Sequence, residues 1–172
     1  CELPVVIVSG SGNQGITASV PVVVYARALE VSEEKLYRAV LLSDLVTVYL
    51  KQGIGKLSAY CGAVSAGCGS GAGVAYLHDM TDEQIEHTVE NALAINSGII
   101  CDGAKSSCAA KIAMAVEGGL LGFDMSMAQR NFAGGDGIVQ ETADETIAAV
   151  GKIASQGMVE TDKEIIDVML GL

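Results

Sequence analysis

The stretch LSAYCGAVSAGCGSGAGVAYL, residues 57–77, carries no charge and is rich in Gly, Ala and Ser. Its pairs Gly67/Gly71 and Gly69/Gly73 have the GxxxG spacing that lets helix backbones approach closely, a spacing also found in membrane helices. A membrane span is therefore an alternative, but so many Gly and Ser residues make a poor lipid-facing surface. The stretch predicts a helix buried within protein and packed closely against its neighbours.

A second uncharged segment, residues 3–26, contains SGSGNQG and Pro21, and it too is expected to be buried in protein. Half of the 172 residues are hydrophobic, yet only 4% are aromatic, none is Trp and 21 are Gly. The interior must therefore be filled by Ala, Val, Ile and Leu at close packing. This length suggests a single domain, residues 1–172.

Helix start and stop signals follow one another along the rest of the chain. Ser32 precedes Glu33 and Glu34 as an N-cap does, and Thr81 with Gln84 forms the pattern of a capping box. Further starts are expected at Ser107, Thr142 and Thr161, and stops near Gly53, before Gly98, at Gly118–Gly119 and at Gly157. Only VVIVS, residues 5–9, has the β-branched composition of a strand, and one strand cannot form a sheet. We therefore predict a mainly α-helical fold.

The net charge of −11 argues against a nucleic-acid or anionic-membrane surface, since both need clustered Lys and Arg. An acidic protein of small-molecule metabolism fits better. Five cysteines, an odd number, do not resemble a secreted disulfide framework, and no secretory signal is visible, so we expect a reducing cytoplasm. The start at Cys1 favours a processed chain or a fragment of a longer polypeptide; a catalytic N-terminal cysteine is the alternative.

Four cysteines form two pairs, and the partners in each pair are seven residues apart: Cys61 with Cys68, and Cys101 with Cys108. This spacing is not that of a zinc site. In an unbroken helix it would hold two sulfurs about 10.5 Å apart along the axis, too far to share one small cluster. We read Cys61 and Cys68 as lying in one helix, so that at most one of them faces a cluster, and Cys68 is favoured as a small buried residue.

The segment CDGAKSSC, residues 101–108, behaves differently. Asp102 and Gly103 form turns, and Ser106 or Ser107 can cap a new helix, so the segment is a loop that can direct both sulfurs inward. Cys108 would lie in the first helical turn, where the helix dipole favours a thiolate. The alternatives are core packing and a disulfide, and the expected reducing compartment disfavours the latter.

The stretch SGSGNQGIT, residues 9–17, has the close-spaced glycines of an anion-binding loop, although it matches neither a P-loop nor a dinucleotide-binding fingerprint. Backbone N–H groups and the Ser, Asn and Gln side chains could surround a carboxylate or a phosphate; a tight turn before a helix is the alternative. Other polar residues near loops and helix ends are interpreted as ordinary surface groups: His78, His87, Lys105 and Asp136.

Four segments together resemble a known family: GSGNQGIT…PVV (10–23), GIGKLSAYCGAVSAGCGSGAG (53–73), NALAINSGIICDGAKSSCAAKIA (91–113) and GDGIV (135–139). They are similar to the C-terminal part of the L-cysteine desulfidase family, which is related to the α-chain of iron–sulfur L-serine dehydratases. The resemblance covers essentially the whole chain. It implies the helical fold of that α-chain and, because family members are longer, an N-terminal portion of the same protein as a partner.

The resemblance also implies a [4Fe–4S]-dependent lyase acting on a small α-amino acid, with three cysteines holding three irons and the fourth iron open to substrate. Cys61, Cys101 and Cys108 match the ligands, and Ser11, Gly12, Asn13, Gln14 and Gly15 match a loop that binds the substrate carboxylate. L-Cysteine would give pyruvate, ammonia and sulfide. The choice of L-cysteine over L-serine rests on the resemblance alone, and no residue is identified as the general base.

Two non-enzymatic readings compete with this one. A fourth ligand at Cys68 would close the cluster and suit electron transfer or a structural role. A helical interaction domain without metal would use the cysteines only for packing. In all readings the abundance of apolar segments predicts self-association into a homo-oligomer.

Overall fold

The chain is mainly α-helical in its computed structural model, which describes residues 4–55 and 58–172. Seven α-helices follow one another: α1 (Gly12–Ala28), α2 (Glu33–Ile54), α3 (Gly62–Leu77), α4 (Asp82–Asn96), α5 (Cys108–Met127), α6 (Ala143–Lys152) and α7 (Val159–Leu170). A π-helical turn, Ile153–Gly157, lies between the last two. Within these ranges there is no β-strand, so the predicted fold class is confirmed. The expectation for Cys1 lies outside the described residues.

Helix α3 lies at the centre of the fold. All of its residues except Gly62 and Tyr76 are buried, and it packs against α1, α2, α4 and α5. Gly67 faces the backbone of Ala115 and Gly119 on α5, and Gly69 faces Ser43 on α2. A side chain at these glycines would collide with a neighbouring carbonyl group. The stretch that predicted a closely packed buried helix therefore forms one, and none of the helices in the described part of the chain is both long and apolar enough to cross a membrane.

Local capping explains where several helices begin. The Ser32 hydroxyl accepts a hydrogen bond from the Lys35 backbone N–H (3.3 Å), and Thr81 forms the predicted capping box with Gln84. Thr142 likewise accepts from the Glu145 N–H at 3.2 Å. Each bond satisfies an N–H group that has no partner inside its own helix.

Three local predictions need correction. Helix α5 does not stop at Gly118–Gly119 but continues to Met127, because there the glycines give the room for close packing against α3 and α4. Helix α7 begins at Val159, before Thr161. The VVIVS segment makes only one bridge, Val8–Ser11, in agreement with the prediction that it could not form a sheet. The predicted loop 9–17 is already helical from Gly12 onward.

Candidate functional site

Three helices begin around one pocket of about 230 Å³. The residues at or next to these starts are Ser11 of α1, Cys61 of α3 and Cys108 of α5, and all three line the pocket. The N-terminus of a helix carries free N–H groups and partial positive charge, which favour a bound anion or a thiolate. The arrangement therefore supplies a positive potential inside a chain whose net charge is −11.

Cys61 and Cys101 are brought together by two backbone hydrogen bonds. The Cys61 N–H donates to the Ile99 carbonyl (3.0 Å) and the Cys101 N–H donates to the Ala59 carbonyl (2.6 Å), on either side of an antiparallel bridge between Tyr60 and Ile100. These bonds fix two segments that are forty residues apart in the sequence. The sequence predicted that Cys61 lies inside helix α3. In the structure it is instead the N-cap residue of that helix.

The loop between Cys101 and Cys108 turns at Gly103, whose φ of +85° is readily accessible only to glycine. Cys108 is the first residue of α5, as predicted, and its sulfur accepts a weak hydrogen bond from the Lys105 N–H at 3.5 Å. Ser107 precedes the helix but makes no capping bond with its side chain. The Cys108 sulfur also donates to the Gly103 carbonyl at 3.6 Å, so both of its hydrogen bonds go to the loop that precedes the helix.

An ion-pair cluster holds this loop against α5. Lys111 donates to the Asp102 carboxylate and to the Ile100 carbonyl (3.0 Å), and Lys105 lies 3.3 Å from the same carboxylate. The hydrogen bond from Lys111 lowers the pKa of Asp102 against the opposing effect of desolvation, and Lys105 adds to the lowering. Asp102 therefore stays ionised and keeps both lysines beside Cys101.

The two cysteines of the first pair have different environments. Cys61 lines the pocket, and burial raises the pKa of its thiol, with the nearby thiols of Cys101 and Cys108 acting in the same direction. Cys68 is fully buried among the helices, and desolvation raises its pKa to about 12. The pocket therefore contains Cys61, Cys101 and Cys108, whereas Cys68 belongs to the core.

The start of α1 forms the opposite wall of the pocket. Ser11 is the N-cap, and its hydroxyl accepts from the Gln14 N–H at 3.2 Å. Ser11, Asn13 and Gln14 line the pocket, whereas Gly12 and Gly15 pack against the 5–8 segment. The Gln14 side chain lies over Gly62, and its Oε1 atom is buried without a hydrogen-bond partner among the described residues.

A family model that matches nearly the whole sequence decides which family the chain belongs to. The model of the serine dehydratase alpha chain matches residues 1–167. The chain belongs to the serine dehydratase alpha-chain family.

Curated relatives agree with this membership in the serine dehydratase alpha-chain family. UPF0597 proteins of Desulfitobacterium hafniense, Lachnoclostridium phytofermentans and Treponema denticola are 60%, 53% and 51% identical over 170 residues, which is 99% of this chain. The chain spans only about 40% of the length of each of these relatives. No solved structure matches.

The family resemblance implies a [4Fe–4S] cluster, and the pocket can be tested for its fit. No three His, Cys, Asp or Glu side chains in residues 4–55 and 58–172 surround the position of a single metal ion. A cluster of four irons holds its thiolate ligands at separate corners, so it needs sulfurs around a cavity rather than around a point. Cys61, Cys101 and Cys108 line one cavity in this way, and this donor set fits a cluster better than it fits an isolated ion.

The buried lysine of the pocket is not among the residues predicted from the sequence. Lys51, on the last turn of α2, is only 8% exposed and lines the pocket with the three thiols. Burial lowers its pKa, against the opposing effect of Cys101 and Cys61. A signal was available, because Lys51 follows Thr47 by four residues and precedes Ile54 by three, on the buried face of its helix.

The other polar residues singled out in the sequence lie outside this pocket. His87 pairs with Glu90 at 2.7 Å, His78 packs against the Phe123 ring, and Asp136 accepts from the Ala133 N–H at 2.9 Å. These contacts agree with their interpretation as ordinary structural groups. A larger cavity of about 770 Å³ between α2, α4 and α6 is mainly apolar and has no cysteine in its walls.

Proposed function

We propose that this chain is the cluster-binding part of an iron–sulfur lyase that removes the β-substituent of a small α-amino acid. One observation carries the proposal: three thiols and the N-terminus of α1 line the same small pocket. We take L-cysteine as the substrate, with pyruvate, ammonia and sulfide as products. L-Serine is the alternative, and the name of the matching family model favours it.

In the proposed site Cys61, Cys101 and Cys108 would hold a [4Fe–4S] cluster. When bound, such a cluster supplies an open iron that acts as a Lewis acid on the leaving group at the substrate's β-carbon. The ion pairs of Asp102 with Lys105 and Lys111 keep the 101–108 loop in the conformation that places both of its thiols in the pocket.

The residues at the start of α1, Ser11–Gly15, are proposed to bind the substrate's carboxylate. The free N–H groups of the first turn and the partial positive charge there favour an anion. During elimination the α-proton leaves as a proton, the C–H electron pair becomes a C=C bond, and the bond from the β-carbon to sulfur or oxygen breaks with its electron pair. The resulting aminoacrylate tautomerises and takes up water to give pyruvate and ammonia.

The test is anaerobic reconstitution of the full-length protein, followed by iron and sulfide analysis and by assays of product release from L-cysteine and L-serine. We expect a four-iron cluster and pyruvate release from both substrates, with the faster release from L-cysteine. Absence of a cluster, or of pyruvate from both amino acids, would refute the lyase proposal. Faster turnover of L-serine would make L-serine the substrate, while the proposed elimination reaction would stand.

Single substitutions test the ligand set in the same preparation. Cys61→Ala, Cys101→Ala and Cys108→Ala should each lose most of the cluster iron and the activity. Cys68→Ala is the matched control and should retain both, because Cys68 lies in the core and not in the pocket lining. If Cys68→Ala lost the cluster and Cys61→Ala kept it, Cys68 would be the ligand and Cys61 would not. Cluster loss in both would favour the closed four-cysteine centre.

The proposal extends to the setting of the site. Relatives are much longer than this chain, so we propose that residues 1–172 form one domain that works with a further portion of the same protein. We also propose a reducing cytoplasmic compartment, since cysteine ligands must stay reduced to bind iron. All four cysteines in the described part of the chain are free.

A further inference from the structure

Lys51 is a buried cation in the wall of the candidate site. It is 8% exposed and lines the same pocket as Ser11 and Asn13 at the start of α1. Its side chain forms neither a salt bridge nor a hydrogen bond with any of the residues 4–55 and 58–172. The side chain lines the pocket, so an anion bound there would offset the cost of placing an ammonium group in a largely buried position.

The second lysine of the pocket, Lys111, is already occupied. Its ammonium group is bound to the Asp102 carboxylate and to the Ile100 carbonyl. The positive charge of Lys111 is therefore largely neutralised. The charge of Lys51 is left to act on whatever enters the pocket.

Two anions could fill this role: the thiolates of a bound cluster, or the carboxylate of the substrate. The thiols of Cys61 and Cys108 lie at the N-termini of α3 and α5, and Lys111 also favours a thiolate at Cys61. Cys101 lies at neither N-terminus, and its thiolate is the competing partner for Lys51. The substrate carboxylate would have only the uncharged N–H groups and side chains of α1. A mobile ammonium group at the end of a four-carbon stem is suited to complete that half of the site.

We propose that Lys51 binds the carboxylate of the substrate and thereby restricts the pocket to amino acids, rejecting amines of the same shape. This inference rests on the proposed lyase function. It adds a role in the reaction, because removal of the α-proton delocalises negative charge into the carboxylate. A cation held there stabilises this charge as it develops.

The test uses the full-length, anaerobically reconstituted protein and a pair of unreactive probes. L-Alanine has no leaving group, and ethylamine is L-alanine without its carboxylate. Inhibition constants of both probes are measured for the unchanged protein, Lys51→Met, Lys51→Arg and the control Lys152→Met, which replaces an exposed lysine of α6. Iron and sulfide contents are measured for each preparation.

We expect the unchanged protein and Lys152→Met to bind L-alanine far more tightly than ethylamine. Lys51→Met should weaken L-alanine binding by about 10- to 100-fold, the range for loss of a hydrogen bond between charged groups, and should leave ethylamine binding and cluster content unchanged. Lys51→Arg, which keeps the charge, should recover part of the L-alanine affinity. Should Lys51→Met fail to fold, Lys51→Gln takes its place.

Two results would overturn the inference while leaving the lyase function intact: unchanged L-alanine binding in Lys51→Met, or loss of its cluster, which would make Lys51 a partner of the thiolates. If the unchanged protein itself neither holds a cluster nor releases pyruvate, the proposed function fails first and the inference fails with it. The unchanged protein thus tests the lyase function, and the Lys51 variants test whether Lys51 binds the substrate carboxylate.

Discussion

At the scale of single residues, the four cysteines of the described chain differ mainly in how far water can reach them. Cys68 is fully buried, Cys61 is 7% exposed, and Cys101 and Cys108 are partly exposed in a loop and at a helix start. Because the thiolate is the reactive form, both burial and a raised pKa slow the reaction of a thiol with an alkylating agent. The cluster-free protein should therefore show a fixed order of reactivity.

We predict that iodoacetamide modifies Cys101 and Cys108 first, Cys61 more slowly and Cys68 only after unfolding, as followed by mass spectrometry of digested samples. The pKa of Cys61 is raised, so its modification rate should continue to increase as the pH rises past the ordinary thiol pKa of about 8.5. Cys68, with a pKa of about 12, should remain unmodified in the folded protein throughout this range. Early modification of Cys68 would contradict its place in the core.

At the scale of the helices, the contact between α3 and α5 depends on glycines whose hydrogen atoms face another backbone. A Cβ atom at Gly119 would collide with the Gly67 carbonyl. A change of rotamer cannot relieve this collision, because the backbone fixes the position of a Cβ atom and the other partner is a backbone carbonyl. The higher helix propensity of alanine, worth about 1 kcal/mol, should therefore not compensate for the overpacking.

Gly119→Ala should lower the free energy of unfolding by about 1–3 kcal/mol, measured by urea denaturation followed by circular dichroism. Gly98→Ala is the matched control, since a Cβ atom at Gly98 would meet no atom within 4 Å. Its free energy of unfolding should change by less than about 0.5 kcal/mol. Equal effects at the two positions would mean that α3 and α5 are not in close backbone contact.

Helix caps give a second prediction at this scale. Thr81→Ala removes the bond that the Thr81 hydroxyl accepts from the Gln84 N–H and should cost about 0.5–2 kcal/mol of unfolding free energy, although the Thr81 N–H can still donate to Gln84. Ser107→Ala should change it by less than about 0.5 kcal/mol, because the Ser107 hydroxyl makes no capping bond. The same denaturation experiment compares the two. A large loss at Ser107 would show that its hydroxyl caps α5 after all.

At the scale of the whole molecule, large apolar side chains remain on the surface. Leu41, Leu45 and Tyr49 of α2 are about half exposed along the 770 Å³ apolar cavity. Self-association, expected from the sequence, stays a prediction. Multi-angle light scattering of the purified chain should give a mass of at least two copies, and a mass of 17.6 kDa, that of a single copy, would contradict it.

The helical fold could be predicted because its signals are local: caps at Ser32, Thr81 and Thr142, and the small residues of 57–77. The continuation of α5 through Gly118–Gly119 could not be predicted from local signals. A glycine ends a helix at an exposed position but permits close packing at a buried one. Which of these applies depends on α3, a different part of the chain.

The candidate site divides in the same way. The turn at Gly103 and the position of Cys108 follow from neighbouring residues, and the sequence predicted both. The position of Cys61 as an N-cap depends on hydrogen bonds to the 99–101 segment, so the sequence reading placed it inside the helix. The spacing of Lys51 on α2 indicates that it is buried, but its place in the site depends on a pocket that forms only when four elements meet.

The pocket draws its walls from Ser11, Cys61 and Cys108, which are spread over nearly a hundred residues of chain. Closing such long loops is slow and costs conformational entropy, so the walls come together only late in folding. An incompletely folded chain would present its thiols one by one and could not hold iron at three of them at once. Under the proposed function, iron would therefore stay bound only in chains whose segment from Ser11 to Cys108 has completed its folding.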